Sequence, residues 1–117
     1  MKKTKQPEHR QHERVEFNAD VTIYPVIDSK SGNVLEIPSD GITVQCRDIS
    51  EGGISLQMAP MNSSVSIVKI NFKLRAYKPV DAFAKLIWNN GGACGFQYII
   101  LDDKSRSHIR GFVNENK

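Results

Sequence analysis

Two arginines in the segment RQHER are the first residues whose types and spacing could bind a ligand. Arg10 and Arg14 stand four residues apart. A guanidinium group carries its donors in a fixed planar fork, which pairs bidentately with a carboxylate or a phosphate. It can also stack on a flat ring. Since arginine pairs at this spacing are common on solvated surfaces, the pair indicates a binding site only where other residues support it.

The second candidate segment is DISEGG, which covers residues 48–53. An ionised Asp48 can only accept hydrogen bonds, whereas the Ser50 hydroxyl can donate or accept them. Gly53 has no side chain and allows a neighbouring group to approach the backbone closely. The same composition is also typical of a tight turn, because Asp and Ser cap turns and Gly adopts a positive φ. Taken alone, this segment predicts a turn between two strands.

The positive charge of the chain is concentrated near its N-terminus. The chain has 117 residues and a formal net charge of +3. Residues 1–14 hold five basic and two acidic residues, and the remainder holds eleven of each. A basic arm on a neutral body favours a small anionic ligand, because proteins that coat nucleic acids usually carry a basic face on the folded body. We expect residues 1–9 to form a flexible basic arm and residues 10–117 to form one domain.

Several other classes of protein are not supported by the sequence. No apolar run approaches the roughly 18 residues of a membrane span, and no apolar segment of a signal peptide follows the first lysines. We therefore expect a cytoplasmic protein. No nucleophile elbow, P-loop or His-Glu-x-x-His motif occurs, and the two cysteines form no metal-binding pattern. The cluster EHRQHE at residues 8–13 lies in a polar segment without a rigid element. We expect neither catalysis nor a bound metal or cofactor.

Alternation of apolar and polar residues predicts an all-β domain. The first strand is expected to end at Pro25, and residues 26–41 are expected to form an extra hairpin or a long loop. We place turns at residues 48–53 and 89–92. With turns every 8–12 residues, the pattern is typical of a small barrel or sandwich. The predicted strands cover residues 15–23, 42–46, 54–58, 68–75, 82–88 and 94–100.

The alternation also predicts which side chains share a face. Trp88 is expected on the same face as Ala84 and Leu86, and Ile100 on the same face as Phe96. After residue 102 the apolar spacing changes to that of a helix, with Asp102 or Asp103 as its N-cap. We predict a helix at about residues 103–114. Its apolar stripe, which should pack on the sheet, consists of Ile109, Phe112 and Val113.

The order of these segments along the chain resembles that of the PilZ domain, a bacterial receptor module for cyclic di-GMP. The resemblance runs from about residue 10 to residue 113. It is carried by the arginine pair and by the segments DISEGGISL (48–56), KLIW (85–88) and CGFQYIIL (94–101). It implies a six-stranded antiparallel β-barrel with a C-terminal helix, which agrees with the alternation pattern.

The resemblance also implies a set of ligand-binding residues. Arg10 and Arg14 would clamp the ligand, and Asp48, Ser50 and Gly53 would form the opposing wall. The resemblance implies two additional positions for a ligand contact, His9 and Trp88. For Trp88, packing in the core or at the barrel rim is the alternative. His9 stands where the family often has another arginine, and this departure bears on whether one ligand or a stacked pair is bound.

The chemistry of the ligand fits these residue types. Cyclic di-GMP has two guanines and two phosphates. The edge of guanine offers N1–H and N2–H as donors, which an ionised Asp48 can accept. Arginine pairs with phosphate or with guanine O6 and N7. The expected function is a receptor that rearranges its N-terminal arm on binding and then signals to a partner protein in motility, adhesion or polysaccharide export.

Two other functions remain open at this point. A small barrel with a basic arm could bind single-stranded nucleic acid, which would require exposed aromatic rings between basic residues. Residues 68–75 carry basic side chains without such rings. Alternatively, the chain could keep the PilZ fold as a protein-interaction adaptor that binds no ligand.

Overall fold

The strands and the helix follow one another as the alternation pattern predicts. The computed structural model describes residues 13–28, 35–36, 41–59, 67–74 and 79–117. Within these ranges the elements are β1 (Val15–Glu16), β2 (Asp20–Asp28), β3 (Leu35–Glu36), β4 (Ile42–Ile49), β5 (Gly53–Gln57), β6 (Ile67–Lys73), β7 (Pro79–Asn90), β8 (Ala93–Ile100) and α1 (Asp103–Asn116).

Six of these strands close into an antiparallel barrel. The neighbouring strands follow the order β4-β5-β8-β7-β6-β2, and β2 also pairs with β4, which closes the ring. The two-residue strands β1 and β3 pair with the C-terminal ends of β4 and β2 respectively. The predicted fold class, a six-stranded antiparallel barrel with a C-terminal helix, is confirmed. Closure leaves each of the six strands with a partner on both sides over part of its length, which removes open sheet edges.

The predicted first strand is two strands, not one. Both β1 and β2 run along β4, where Val15 pairs with Ile49 and Asp20 with Gln45. The interruption lies opposite Arg47, whose carbonyl accepts from the Phe17 backbone N–H at 3.1 Å. Because β4 has an extra residue at this point, the opposing strand cannot keep a continuous ladder.

Pro25 does not end β2, contrary to the prediction. The pairing of β2 with β4 stops at Ile23, whereas the pairing with β6 continues through Pro25 to Val26. Proline is tolerated there because its missing N–H faces the side on which the β4 ladder has already ended. Beyond it, β2 pairs with β3, so the extra-hairpin alternative for residues 26–41 is confirmed as far as the described residues extend.

The barrel interior is filled by the apolar face of each strand, and α1 covers one end. The helix begins after Asp102, whose carboxylate accepts from the Ser105 backbone N–H at 2.7 Å, and it ends two residues beyond the predicted boundary. Phe17 stands edge-on to Phe112, with ring centroids 5.0 Å apart, and joins the helix to the barrel core. The predicted stripe is buried in full, and it consists of Ile109, Phe112 and Val113.

One predicted face at the end of β8 is wrong. Ile100 is 62% exposed, although Phe96 is fully buried. Along β7 the partner of Ala84 is Tyr98, and the partner of the preceding residue, Phe83, is Ile100. The extra residue in β8 turns Ile100 to the outer face of the barrel, since an insertion of one residue reverses the alternation.

Candidate ligand-binding site

The two candidate motifs meet on the outer wall of the barrel. An Arg14 Nη1 donates to Asp48 Oδ1 at 2.7 Å, although the two residues are 34 positions apart in the chain. Their side chains are 17% and 30% exposed respectively. The second oxygen of Asp48 makes no hydrogen bond within the part of the chain that the structure describes. The pair is therefore partly shielded from water, and one oxygen of the carboxylate has no partner among the described residues.

A bulge at Arg47 brings Asp48 to this wall. Cys46 pairs with Leu56, but the next pair along the ladder joins Asp48 to Ser55. Cys46 is buried in the core, so strict alternation would also direct Asp48 inward. The extra residue reverses the alternation and directs Asp48 outward. The prediction that residue 48 lies in the turn is thus wrong, because β4 continues to Ile49.

A second bulge, at Ile87, does the same for Trp88. Leu86 pairs with Phe96 in the core, and the next pair joins Trp88 to Gly95. Trp88 is consequently on the outer face and not on the face of Leu86, contrary to the prediction. Its indole lies over Gly95, where a side chain would collide with the ring. The indole of Trp88 can therefore lie against the wall only because Gly95 has no side chain.

The two bulges place a row of side chains across five adjacent strands. The pairings that define it run from β1 through β4, β5 and β8 to β7. The row has carboxylates at one end, a buried hydroxyl in the middle and the indole at the other end. In order, its members are Glu16, Asp48, Ser55, Gly95 and Trp88.

An open depression of about 400 Å³ lies beside the arginine–aspartate pair. Two arginines, two carboxylates, two side-chain amides and one valine line it. Trp88 and Ser50 do not line it. Its lining residues are Arg14, Val15, Glu16, Asn18, Arg47, Asp48 and Gln57.

Ser50 forms the turn that connects β4 to β5. Its hydroxyl oxygen accepts from the backbone N–H groups of Gly52 and Gly53 at 3.2 and 3.1 Å. Its own N–H donates to the Gly53 carbonyl at 2.9 Å, and the residue is only 4% exposed. This hydroxyl is therefore already engaged in holding the loop that follows Asp48. The predicted contact of Ser50 with a ligand stays a prediction.

Gly53 is required by the packing of β5 against β8. A side chain at this position would fall well inside contact distance of the Phe96 backbone carbonyl. Since this neighbour is backbone within a paired strand, it cannot move aside cheaply. The structure thus gives Gly53 a structural role, and close approach of a ligand at this residue stays a prediction.

Replacing Gly53 by alanine is expected to destabilise the domain by about 1–3 kcal/mol, the usual cost of overpacking a well-packed site. The matched control is Gly111→Ala, because residue 111 lies in α1 with open space around it. Alanine there should raise the stability by about 0.5–1 kcal/mol through its better helix propensity. Urea unfolding followed by circular dichroism measures both. Equal stability of Gly53→Ala and the wild type would contradict the packing role.

Two buried groups lie behind the site and stay neutral at physiological pH. Burial, together with a smaller effect of the nearby Asp48 charge, raises the pKa of the Cys46 thiol to about 12. Burial also raises the pKa of Tyr98 well above its usual value, against the opposing effect of Arg14. The Tyr98 hydroxyl has no hydrogen-bond partner among the described residues. These two groups therefore add no charge behind the site.

The C-terminal helix and the residue that follows it form ion pairs beside both motifs of the site. Arg110 in α1 donates through Nε and Nη2 to one carboxylate oxygen of Glu51, at 3.0 and 2.7 Å. Glu51 lies inside the turn that Ser50 holds. Lys117, at the end of the helix, lies 3.4 Å from Glu13, which directly precedes Arg14. The helix thus contacts the flanks of both motifs.

Several predicted residues lie outside the part of the chain that the structure describes. They include His9 and Arg10, and with them the predicted arm of residues 1–9. Among the described residues no group of three or more His, Cys, Asp or Glu side chains could hold a metal ion. None of the described helices is long and apolar enough to cross a membrane.

Five residues that line the depression are not among the predicted site residues. They are Val15, Glu16, Asn18, Arg47 and Gln57. Adjacency to Asp48 could have pointed to Arg47. In a regular strand, however, adjacent side chains face opposite ways, and nothing in the local sequence marks the bulge.

The described part of the chain is a closed β-barrel with a polar, partly shielded site on its outer wall. This architecture is typical of small β-barrel ligand-binding modules. The family model of the PilZ domain matches residues 8–115 of this sequence. The chain therefore belongs to the PilZ domain family. No curated protein matches the sequence significantly.

Solved structures of PilZ proteins share this fold at low sequence identity. The Bacillus subtilis inhibitor of motility (MotI/DgrA) superposes with a TM-score of 0.72 and 17% identity, over 95% of this chain. This chain spans 52% of that protein's length. The PilZ domain of CeSA from a cellulose-synthesizing bacterium gives 0.60 and 19%, over 88% of this chain and 96% of that one.

The third similar structure contains a ligand. It is the PilZ domain of YcgR from Escherichia coli with c-di-GMP, and it superposes with a TM-score of 0.64 and 8% identity. The match covers 93% of this chain and 92% of that one. At such identities the likeness concerns the fold.

Proposed function

We propose that this chain is a cyclic di-GMP receptor whose binding site is the outer-wall row from Asp48 to Trp88, closed by the N-terminal arginines. The observation that carries the proposal is the 2.7 Å contact between Arg14 and Asp48. These residues belong to the two sequence motifs that the PilZ resemblance assigns to the ligand. Their meeting at one partly shielded point supports a single site built from both.

Asp48 supplies the recognition of guanine in this proposal. A carboxylate that faces outward from a strand can accept N1–H and N2–H of one guanine, and an adenine edge cannot donate in this pattern. Trp88, three strands away in the same row, offers an indole plane against which a second ring or the ribose can pack. Spreading the contacts along the row suits an extended ligand with two bases.

The arginines supply the charge that two phosphates require. Arg14 uses one Nη1 N–H toward Asp48, and its Nε is buried without a partner among the described residues. The donors that it can offer to the ligand are therefore the other N–H groups of the guanidinium tip. Arg10 lies outside the described residues, and its role as the second clamp rests on the sequence motif. Charge-assisted hydrogen bonds contribute about 1.5–3 kcal/mol each, so a few of them with stacking reach the roughly −8 kcal/mol of micromolar binding.

The output proposed for this receptor is a rearrangement of the arm of residues 1–9, which the ligand draws over the depression through Arg10 and Arg14. The rearranged surface would then contact a partner protein in motility, adhesion or polysaccharide export. Glu13, which lies beside Lys117 directly after α1, is the first described residue that follows this arm. A transition of this kind couples binding to a surface change.

Titration calorimetry of the full chain with cyclic di-GMP tests the proposed binding. We expect a dissociation constant in the micromolar range or tighter, with a stoichiometry of one ligand or of a stacked pair. Cyclic di-AMP should bind far more weakly, because its base edges do not match Asp48. Absence of binding of cyclic di-GMP at about 100 μM protein would contradict the receptor function and favour the adaptor alternative.

Limited trypsinolysis tests the arm. Trypsin cleaves after the lysines and arginines of residues 2–14, so a saturating concentration of cyclic di-GMP is expected to slow cleavage in this segment several-fold. The control is cleavage after Lys104, an exposed residue in α1, because it reports the general stabilisation of the fold by the ligand. Equal cleavage rates of the arm with and without ligand would contradict the proposed rearrangement while leaving ligand binding itself intact.

One observation favours single-stranded nucleic acid as a second candidate ligand. Lys69 in β6 pairs with Tyr24 of β2 on one side and with Phe83 of β7 on the other. Two aromatic rings therefore flank a basic residue, although the sequence of this strand alone predicts no exposed ring. The Lys69 amine lies 5.9 Å from the centre of the Tyr24 ring. This wall could stack bases. Fluorescence anisotropy with a labelled 12-nucleotide strand tests it, and absence of binding at low salt excludes this candidate.

A further inference from the structure

We infer that Arg47 is a third ligand-binding arginine, which contacts a phosphate of the bound dinucleotide from the β4 side of the depression. The inference rests on the proposed function and names a residue outside both sequence motifs. It depends on three observations: the bulge that positions Arg47, the lack of a side-chain partner for Arg47 among the described residues, and the balance of charges around the depression.

The bulge fixes where Arg47 stands. Its backbone lies between Cys46, which faces the core, and Asp48, which faces outward. The Phe17 N–H donates to the Arg47 carbonyl at 3.1 Å and anchors this extra residue to the opposing strand segment. Arg47 is exposed and lines the same depression as Arg14 and Asp48. A cation on an anchored strand position loses less conformational freedom on binding than one on a loop.

The second observation concerns the hydrogen-bond donors of the Arg47 side chain. It makes no hydrogen bond or ion pair with the residues that the structure describes. By contrast, Arg14 is paired with Asp48 and Arg110 with Glu51. Arg14 and Arg110 each use part of their donors on a carboxylate, whereas none of the five donors of Arg47 has a partner among the described residues.

The charges around the depression explain why a third arginine is needed. The charged residues that line it are Arg14, Arg47, Glu16 and Asp48, so the described lining is neutral. Without Arg47 the lining would carry a net charge of −1 and would face a ligand of charge −2. Like charges at short range oppose binding, and the effect is larger at a partly shielded site than in bulk water. Arg47 therefore offsets the carboxylate that Glu16 places beside the ligand.

Calorimetric titration of Arg47→Ala and Arg47→Lys with cyclic di-GMP tests this inference. We expect Arg47→Ala to weaken binding about tenfold, the effect of losing one charge-assisted contact at an open site. Arg47→Lys should stay within about threefold of the wild type, because an ammonium also serves as a point charge for phosphate. The backbone contact with Phe17 is kept in both variants, and thermal unfolding should confirm unchanged stability.

The control for general electrostatics is Lys104→Ala, which removes one positive charge from exposed helix surface away from the depression. It should bind within about twofold of the wild type. Arg47→Ala with wild-type affinity, or a loss for Lys104→Ala as large as that for Arg47→Ala, would overturn the inference. In both cases wild-type binding shows that the receptor function stands. No binding by the wild type itself would instead overturn the proposed function, and the role of Arg47 with it.

Discussion

Replacing Arg14 by alanine is expected to weaken binding of cyclic di-GMP by about 2–4 kcal/mol, which is roughly a 30- to 1,000-fold loss of affinity. The physical reason is twofold. The substitution removes a guanidinium that would contact the ligand, and it leaves the Asp48 carboxylate partly buried without its cation. A carboxylate without a partner repels an incoming dianion. Isothermal titration calorimetry on the full chain measures the loss.

A matched arginine–carboxylate pair elsewhere in the molecule provides the control. Arg110→Ala breaks the contact with Glu51, which has the same 2.7 Å length but lies between α1 and the turn. Because Arg110 does not line the depression, we expect this variant to bind the ligand within about threefold of the wild type. If Arg14→Ala bound as tightly as Arg110→Ala, Arg14 would not be a ligand-binding residue and its contact with Asp48 would be purely structural.

Replacing Asp48 by alanine is expected to reduce the preference for cyclic di-GMP over cyclic di-AMP. Binding of cyclic di-GMP should weaken by about 2–4 kcal/mol, as for truncation of one member of a desolvated charged contact. Binding of cyclic di-AMP should stay equal or improve, because the adenine edge gains nothing from the carboxylate. Parallel titrations with both ligands measure the change in preference. Equal losses for both would contradict recognition of the guanine edge by Asp48.

The sign of the electrostatic effect sharpens this test. Removing a negative charge near a dianion should strengthen binding if charge alone matters. Glu16, the residue opposite Asp48 in the same row, provides the comparison. We expect Glu16→Gln to bind cyclic di-GMP equally well or slightly more tightly than the wild type. Both Glu16→Gln and Asp48→Ala remove one negative charge, but only Asp48→Ala is expected to weaken the binding of cyclic di-GMP. A loss of affinity in Asp48→Ala therefore reports lost hydrogen bonds and not the lost charge.

Much of the fold could be predicted from local patterns because apolar alternation reports directly on which face of a strand is buried. The interior residues of β6 and the helix stripe around Phe112 follow this pattern without exception. The turn at Gly91, which has a φ of 63°, was also readable, because a two-residue hairpin of this kind favours glycine. These features depend on neighbours within a few positions along the chain.

The errors fall where pairing between strands departs from strict alternation. The sequence pattern directed Trp88 inward and Ile100 inward, and it placed Asp48 in a turn. In each case one extra residue in a strand reverses the faces that follow it. A bulge is stabilised by its partner strands, as the contact of Phe17 with Arg47 illustrates, and such partners can lie far away in the chain. Local composition therefore carries little signal for it.

The sequence alone determined the residue types at the site and the class of ligand that they suit. Arginines four apart and a carboxylate in a turn-forming motif are visible without coordinates, as is the family resemblance that joins them. Only the tertiary structure decided that Arg14 contacts Asp48, that Trp88 shares their wall, and that Arg47 faces the same depression. The physical reason is that the bulge at Arg47 and the bulge at Ile87 arise from the register of strands distant in sequence, and register sets the side of the barrel on which each side chain stands.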